Sequence, residues 1–359
     1  MCFCSSATRG FVWSDIVKHR HKLWGALLLL AGLHVVVLFA GFFAPYGSST
    51  QDRNLPFAPP TGLHFVDASG KFRARPFVYG LKDDPQALGS FAVDSTQVYP
   101  VHFFVQGSSY KVGGVLPSRL HLFGVSAPGR IFILGSDAYG RDQFTRFLYG
   151  GQISLAAGLI AAALSVLLGV VIGGLAGFYG GWIDDLLMRG GELFLALPWL
   201  YLLFAVRAAL PLHIAQWQVF LLLIVVIGLV GWARPARLIR GVVLSAKERN
   251  FVVAARAFGA SDVYLLRRHV LPQTYGVVLT QMALLVPQYV LAEVTLTFLG
   301  LGVGEPMPSW GSLLASLQQY YVLSSYWWMF LPALLLIPVF LAYYMAADAL
   351  QERLKTVPL

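Results

Sequence analysis

Six runs of mostly apolar residues, each close to the length at which an α-helix crosses a bilayer, dominate this chain: roughly 23–46, 153–178, 192–212, 217–233, 275–302 and 326–348. The fourth is the shortest. Hydrocarbon offers the backbone no hydrogen-bond partners, so such runs must satisfy their own amide groups as helices. Composition agrees. Of 359 residues, 57% are hydrophobic and only 12% charged, far below the quarter expected of a soluble domain. The predicted class is an all-α membrane protein with six transmembrane helices. Lys18, Arg20 and Lys22 precede the first run as they would in a secretion signal, but its apolar core is long and no small-residue cleavage site follows. It is predicted to stay in the membrane.

Lys and Arg set the orientation. Four lie in the N-terminal tail, Arg189 follows the second run, eight follow the fourth and two lie at the C-terminus, fifteen in all on one side. The short loops on the other side hold Arg207 at most, and the rule that keeps Lys and Arg cytoplasmic then places both termini inside. The same rule accounts for the net charge of +9 without nucleic acid. Cys2 and Cys4 are too few and too close together to staple a fold or build a zinc site.

The densest charge lies in "KERNFVVAARAFGASDVYLLRRHVLP", residues 247–272, with seven ionised side chains between two apolar runs. It reads as two short cytoplasmic helices. Ser245 and Glu248 have capping-box spacing for the first, and Phe251, Ala254, Ala255 and Phe258 recur on one face of it. Gly259 ends it in the left-handed conformation common at a helix C-terminus. Ser261 or Asp262 caps the second helix, and Pro272 closes that helix before the fifth run. Such a pair is either an ordinary basic surface loop or a stiff element able to transmit force.

The order Ala254, Ala255, three residues, Gly259 and, after a gap, Leu271 and Pro272 resembles the cytoplasmic signature of ABC-importer permease subunits. Val253 stands at that signature's glutamate and His269 at its isoleucine, so the contact made by the glutamate in the family must be replaced or absent. "LGSDAYGRDQFTRFLYGGQISLAAG" (134–158), "GLAGFYGGWIDDLLMRGGELFLALPWL" (174–200) and "AEVTLTFLGLGVGEPMPSWGSLLAS" (292–316) are similar to the second permease subunit of the dipeptide, oligopeptide and nickel importers. The first run with its Ala-Pro-Tyr ending resembles that subunit's first span.

The resemblance implies a type I importer fold in a bacterial inner membrane. Its partners would be a second permease subunit, distinct rather than a second copy, two cytoplasmic ATPases and a periplasmic solute-binding protein. The implied organisation is a cytoplasmic tail (1–22), a first span (23–46), an insertion (47–130), a core of five spans (131–350) and a C-terminal tail (351–359). Residues 245–272 would form the coupling loop on the ATPase, through Val253, Ala254, Ala255, Arg256, Gly259, Ala260, Ser261, Asp262, His269, Leu271 and Pro272. No Gly-x-x-x-x-Gly-Lys-Ser/Thr loop occurs, so nothing here cradles ATP in that way. ATP and Mg belong to the partner ATPases, and this chain is expected to bind no cofactor or metal. Relatives import peptides, nickel chelates and some sugars, with specificity resting mostly on the binding protein. Peptides are favoured here, with nickel chelates or another small solute as the alternative.

Within the spans, Gly169, Gly173, Gly177 and Gly181 form a stripe on which another helix can approach closely. Pro287, Pro332 and Pro338 read as static kinks or hinges. Glu293, an acid well inside an apolar run, reads as a packing or gating contact rather than a cargo ligand. Asp184 and Asp185 read as a solvated turn near Arg189. Residues 47–130 hold the alternation of "VHFFVQG" and Pro/Gly punctuation that predict a small β-rich periplasmic cap. That cap either helps to dock the binding protein or only packs on the outer loops. The eight histidines are scattered, and no catalytic arrangement is present. A secondary transporter or channel would call for more ionisable residues within the spans than Glu293 alone.

Overall fold

The computed structural model describes residues 24–84, 89–196, 198–208 and 215–356. Cys2, Cys4, the basic N-terminal tail and the end of the third apolar run, residues 209–212, lie outside them. Two compact units are formed. One takes in Leu155–Glu293 and Val339–Leu359 with the chain up to Ala31, and the other joins Gly32–Ser154 to Val294–Pro338.

Three helical stretches among the described residues are long and apolar enough to cross a membrane. They are α3 (Gln143–Tyr179), the continuous stretch Asp262–Phe298 containing α10 (Tyr275–Phe298), and Trp327–Arg353, most of it in α13 (Leu331–Thr356). A fourth is broken: α6 (Gln216–Val230) and α7 (Ala233–Lys247) qualify together but meet at 41°. The first apolar run is helical as α1 (Trp24–Leu38) and α2 (Ala40–Phe43). The third is divided between the end of α4 (Gly181–Ala196) and α5 (Trp199–Ala208). By length and composition the described helices thus supply three crossings, or four with the bent pair, and six is not reached.

In the first unit, small residues set how closely helices approach. A Cβ on Gly173 would lie 2.3 Å from the Ala236 carbonyl oxygen of α7, one on Gly177 2.9 Å from that of Arg240, and one on Gly169 2.7 Å from the Pro235 side chain. The α3 stripe therefore lies directly on the α7 backbone. Beside the bend, a Cβ on Gly231 would meet the Tyr289 hydroxyl at 1.7 Å. Ser165 donates to the Gly228 carbonyl at 2.8 Å and lies 3.0 Å from the Tyr289 hydroxyl, tying α3, α6 and α10 together. Asp184 departs from the expected solvated turn: it is buried and takes both ends of the Arg240 guanidinium at 2.5 Å, while Asp185 stays exposed. A bidentate arginine pair satisfies a buried carboxylate where a lysine would not, and Arg189 is not its partner.

In the second unit, β1 (His64–Val66), β2 (Phe72–Asp83), β3 (Phe91–Val112) and β4 (Leu116–Val125) form one antiparallel sheet in sequence order. The 22-residue β3 serves two hairpins, pairing residues 91–100 with β2 and 101–112 with β4. Val78, Val101 and Ile131 form its core, flanked by Tyr46, Tyr99 and Phe123. Buried His121 joins the sheet to the end of α2, with Nδ1 2.6 Å from the Ala44 carbonyl oxygen and Nε2 3.0 Å from that of Ser108. Asp142 caps α3, accepting from the Thr145 amide at 2.8 Å and its hydroxyl at 2.6 Å, and burial pushes its carboxyl up to about 7 against those bonds. Trp310, at the start of α11 (Trp310–Ala315), is buried and donates from its indole to the Phe147 carbonyl at 2.9 Å.

Candidate coupling surface and adjoining cavities

The charged segment begins later than its capping signal suggests. Ser245 lies inside α7, and α8 (Asn250–Ala257) starts after Arg249 with no side-chain cap. The amphipathic α7 continues through residue 247 because Ile239, Val243 and Ala246 bury one face of it, and this packing overrides the local Ser–Glu signal. Only part of the face on which Phe251, Ala254, Ala255 and Phe258 recur is buried in α8. Val252 is buried and Ala255 packs beside it, whereas Phe251, Ala254 and Phe258 are exposed. Val252 joins Phe178, Ile239, Val243, Leu265, Leu266 and Val270 in one cluster, on which Ala260 and Leu271 also pack.

Gly259 has φ +85° and ends α8 as a Schellman motif, its amide bonding the Arg256 carbonyl at 2.9 Å and the Ala260 amide reaching Ala255 at 3.1 Å. Ser261 then occupies the N-cap position of α9 (Asp262–Leu265), though its side chain makes no cap bond. Pro272 does not end the second helix. A π turn at Leu266–Val270 and a 3-10 turn at Leu271–Thr274 absorb the proline, and the helix runs on into α10. Widening and then tightening the turn accommodates the missing amide and the ring, which a regular α-helix would meet as a clash.

The outcome is a short helix pair fastened to α3, α7 and α10 from beneath and bare on its outer side. Phe258 is 92% exposed and Val253 53%, with Val263 and Tyr264 exposed beside them. Arg256 sits over the Phe178 ring at 5.6 Å and 3.5 Å from Asp262, and His269 packs between Phe251 and Tyr264. An aromatic side chain with almost no cover, on a segment held by a buried cluster, is an arrangement suited to insertion into a partner's cleft.

Two cavities adjoin this segment's unit. One of about 330 Å³ is lined mainly by apolar groups of α4, α6 and α10, with Arg234, Gln288 and Tyr289 as its polar members. Arg234 belongs to the first turn of α7; sequence reading placed it among the loop cations because the bend after α6 is invisible to composition. The second, an open groove of about 1290 Å³, lies among α7, α10 and α13 and includes Ser245, Arg249, Pro272 and Arg353. Pro287 and Glu293 are both buried in α10. Among the described residues no group of three or more metal-ligating side chains occurs.

The second unit holds a polar cluster that pattern reading missed, since its members are far apart in sequence. Glu305 bridges Arg141 at 2.9 Å and Arg146 at 2.7 Å, and Arg141 also pairs with Asp137 at 2.7 Å. Partial burial opposes ionisation of Glu305, but the two arginines outweigh it and hold its carboxyl below the ordinary range. A lowered folded-state value means stability that is present above the unfolded-state pKa and lost as pH falls through the folded one. Glu305→Gln is therefore expected to lower stability by about 1–2 kcal/mol near neutral pH, modest because Glu305 is half-exposed to screening solvent. Thermal unfolding in detergent checks this: the wild type should lose its advantage over the variant on acidification below the ordinary glutamate pKa.

Comparison with known proteins bears on the same helices. Residues 169–356 match the family described as "Binding-protein-dependent transport system inner membrane component". The dipeptide transport system permease protein DppC of Bacillus subtilis is 38% identical over 221 residues, covering 61% of this chain and 67% of that protein. The oligopeptide transport system permease protein OppC of the same organism is 33% identical over 230 residues, 63% of this chain and 72% of that protein. The glutathione transport system permease protein GsiD of Pectobacterium atrosepticum is 33% identical over 227 residues, 63% and 73% of the two chains. A solved structure of the MetNI methionine ABC transporter aligns with a TM-score of 0.46 at 15% identity, over 59% of this chain and 97% of that one. The family match covers the glycine stripe, the bent pair, the α8–α9 segment and α10 together, and the chain belongs to the binding-protein-dependent transport system inner membrane components.

Proposed function

We propose that this chain is one of two permease subunits of an ATP-driven ABC importer in a bacterial inner membrane. It crosses the membrane six times with both termini in the cytoplasm, α1–α2 and α4–α5 supplying the crossings that individual helix lengths do not. Residues 245–272 couple it to two cytoplasmic ATPases, which hold the ATP and Mg, and residues 47–130 face the periplasm. The observation that carries the reading is the exposed Phe258 at the end of a helix whose other face is locked into the Phe178–Val270 cluster. Movement imposed at Phe258 reaches α7 and α10 through that packing instead of being lost in a slack loop. Val253 at the glutamate position makes the docking apolar in place of charged.

The cargo is a di- or oligopeptide delivered by a periplasmic binding protein. Support comes from the transport named for the relatives and from the cavity of Arg234, Gln288 and Tyr289, whose few polar groups on apolar walls suit passage without tight retention. A distinct second permease completes the pathway. Reconstitution of the whole assembly in vesicles tests the reading: peptide uptake should require both ATP and the binding protein. Uptake of a nickel chelate but not of peptides would overturn the cargo assignment, and uptake without ATP the mechanism.

A further inference from the structure

The β3–β4 hairpin ends in an apolar tip that no described part of the protein covers. The turn Gly113–Gly114 is followed by Val115 and Leu116, 77% and 66% exposed. Three contacts fix its direction relative to the first apolar helix. His121 meets the carbonyl of Ala44, the Tyr110 ring lies against Gly41, and Gly113 at the turn is nearest to Leu38. Moving toward the tip, these partners step backwards along a nearly continuous helix, with Phe39 bonded to Val35 and Phe43 to Phe39. The hairpin therefore runs down the helix from its end toward its interior, and its tip lies about 9 Å below Ala44 at helical rise.

A second helix gives the same level independently. Gln152 donates to the Val37 and Leu38 carbonyls at 3.0 and 3.2 Å, and Gln152 is where the long apolar run of α3 begins. The tip thus stands level with the end of α1 and the start of the apolar run of α3. On the same helix Val35 and Leu38 are half exposed, so the apolar surface is continuous from helix to tip. Lys111 and Arg119, both exposed, flank the tip on the two strands at the level above.

We propose that this hairpin tip is a lipid-binding element, inserting Val115 and Leu116 into the outer interface of the bilayer while Lys111 and Arg119 contact phospholipid phosphates. Apolar side chains below a basic collar match the order of acyl boundary and headgroup in a membrane surface. The element anchors the sheet at a fixed height beside the first span. The proposal rests on reading residues 23–46 as a membrane span.

Spin labels at Val115→Cys and, separately, Val35→Cys, in a chain with Cys2 and Cys4 replaced by serine, test both statements. The full assembly is placed in phosphatidylethanolamine–phosphatidylglycerol vesicles, and collision with oxygen is compared with collision with a water-soluble nickel complex. The expected result is severalfold preference for oxygen at both positions, smaller at 115 because it lies nearer the interface. Preference for the nickel complex at 115, or protection from both reagents by a covering protein, with position 35 still favouring oxygen, overturns the hairpin proposal alone. A water-like signal at position 35 overturns the span reading and the proposal with it.

Discussion

Phe258→Asp is expected to abolish ATP-dependent uptake by the assembled transporter while leaving the chain folded and in the membrane. The side chain is 92% exposed, so its replacement removes no packing from the Phe178–Val270 cluster and creates no cavity. A buried aromatic anchor at a protein interface contributes roughly 2 kcal/mol or more, and a carboxylate forced into an apolar cleft adds a desolvation cost. Docking should therefore weaken by well over about 30-fold. Phe258→Leu should retain part of the activity, because it keeps an apolar knob. The check is uptake in vesicles alongside ATPase activity: stimulation by the binding protein should fall together with transport. Full uptake by Phe258→Asp would show that this surface does not carry the coupling.

Gly173→Leu is expected to have the largest effect on stability. The first atom of any side chain at this position would sit 2.3 Å from the Ala236 carbonyl oxygen and 3.0 Å from its Cα. Both are backbone atoms of α7, so no rotamer relieves the overlap and the two helices must separate. Separation also loosens Gly177 from Arg240, and with it the Asp184–Arg240 pair. Overpacking of a close-packed site commonly costs about 1–3 kcal/mol, and a clash with backbone belongs at or above the top of that range. Gly190→Leu in α4 supplies the control, since nothing lies within 4 Å of the Cβ it would add. Thermal melting in detergent should show a large drop for the first variant and little change for the second.

How far these features are legible in the sequence depends on how local their causes are. The long apolar runs are legible because hydrocarbon imposes one requirement on every residue of a span. The turn at Gly259 is legible for a similar reason: the left-handed conformation there is a demand of the local backbone. Ser245–Glu248 misleads because a helix start is decided by packing as well as by its cap, and the buried face of α7 carries that helix past the signal. Pro272 misleads because a π turn can absorb a proline that a regular helix cannot. Which face of α8 is buried cannot be read from the spacing of Phe251 and Phe258, because only the tertiary structure reveals that Val252 takes the core and leaves the aromatics bare. Pairs such as Arg146–Glu305, 159 residues apart, leave no periodic trace at all. The sheet lies between these cases: its alternation is visible, but the division of β3 between two hairpins follows from where its partners fold.

The most direct test of the account is disulfide crosslinking from Ala257→Cys, in a chain lacking Cys2 and Cys4, to cysteines placed along the cleft of the partner ATPase. Ala257 is exposed next to Phe258 and, unlike Gly259 with φ +85°, accepts a side chain without backbone strain. Crosslinks are expected in the assembled complex, with a yield that changes between nucleotide-free and ATP-bound states. A folded, assembled complex that gives no crosslink from this position in either state would contradict it.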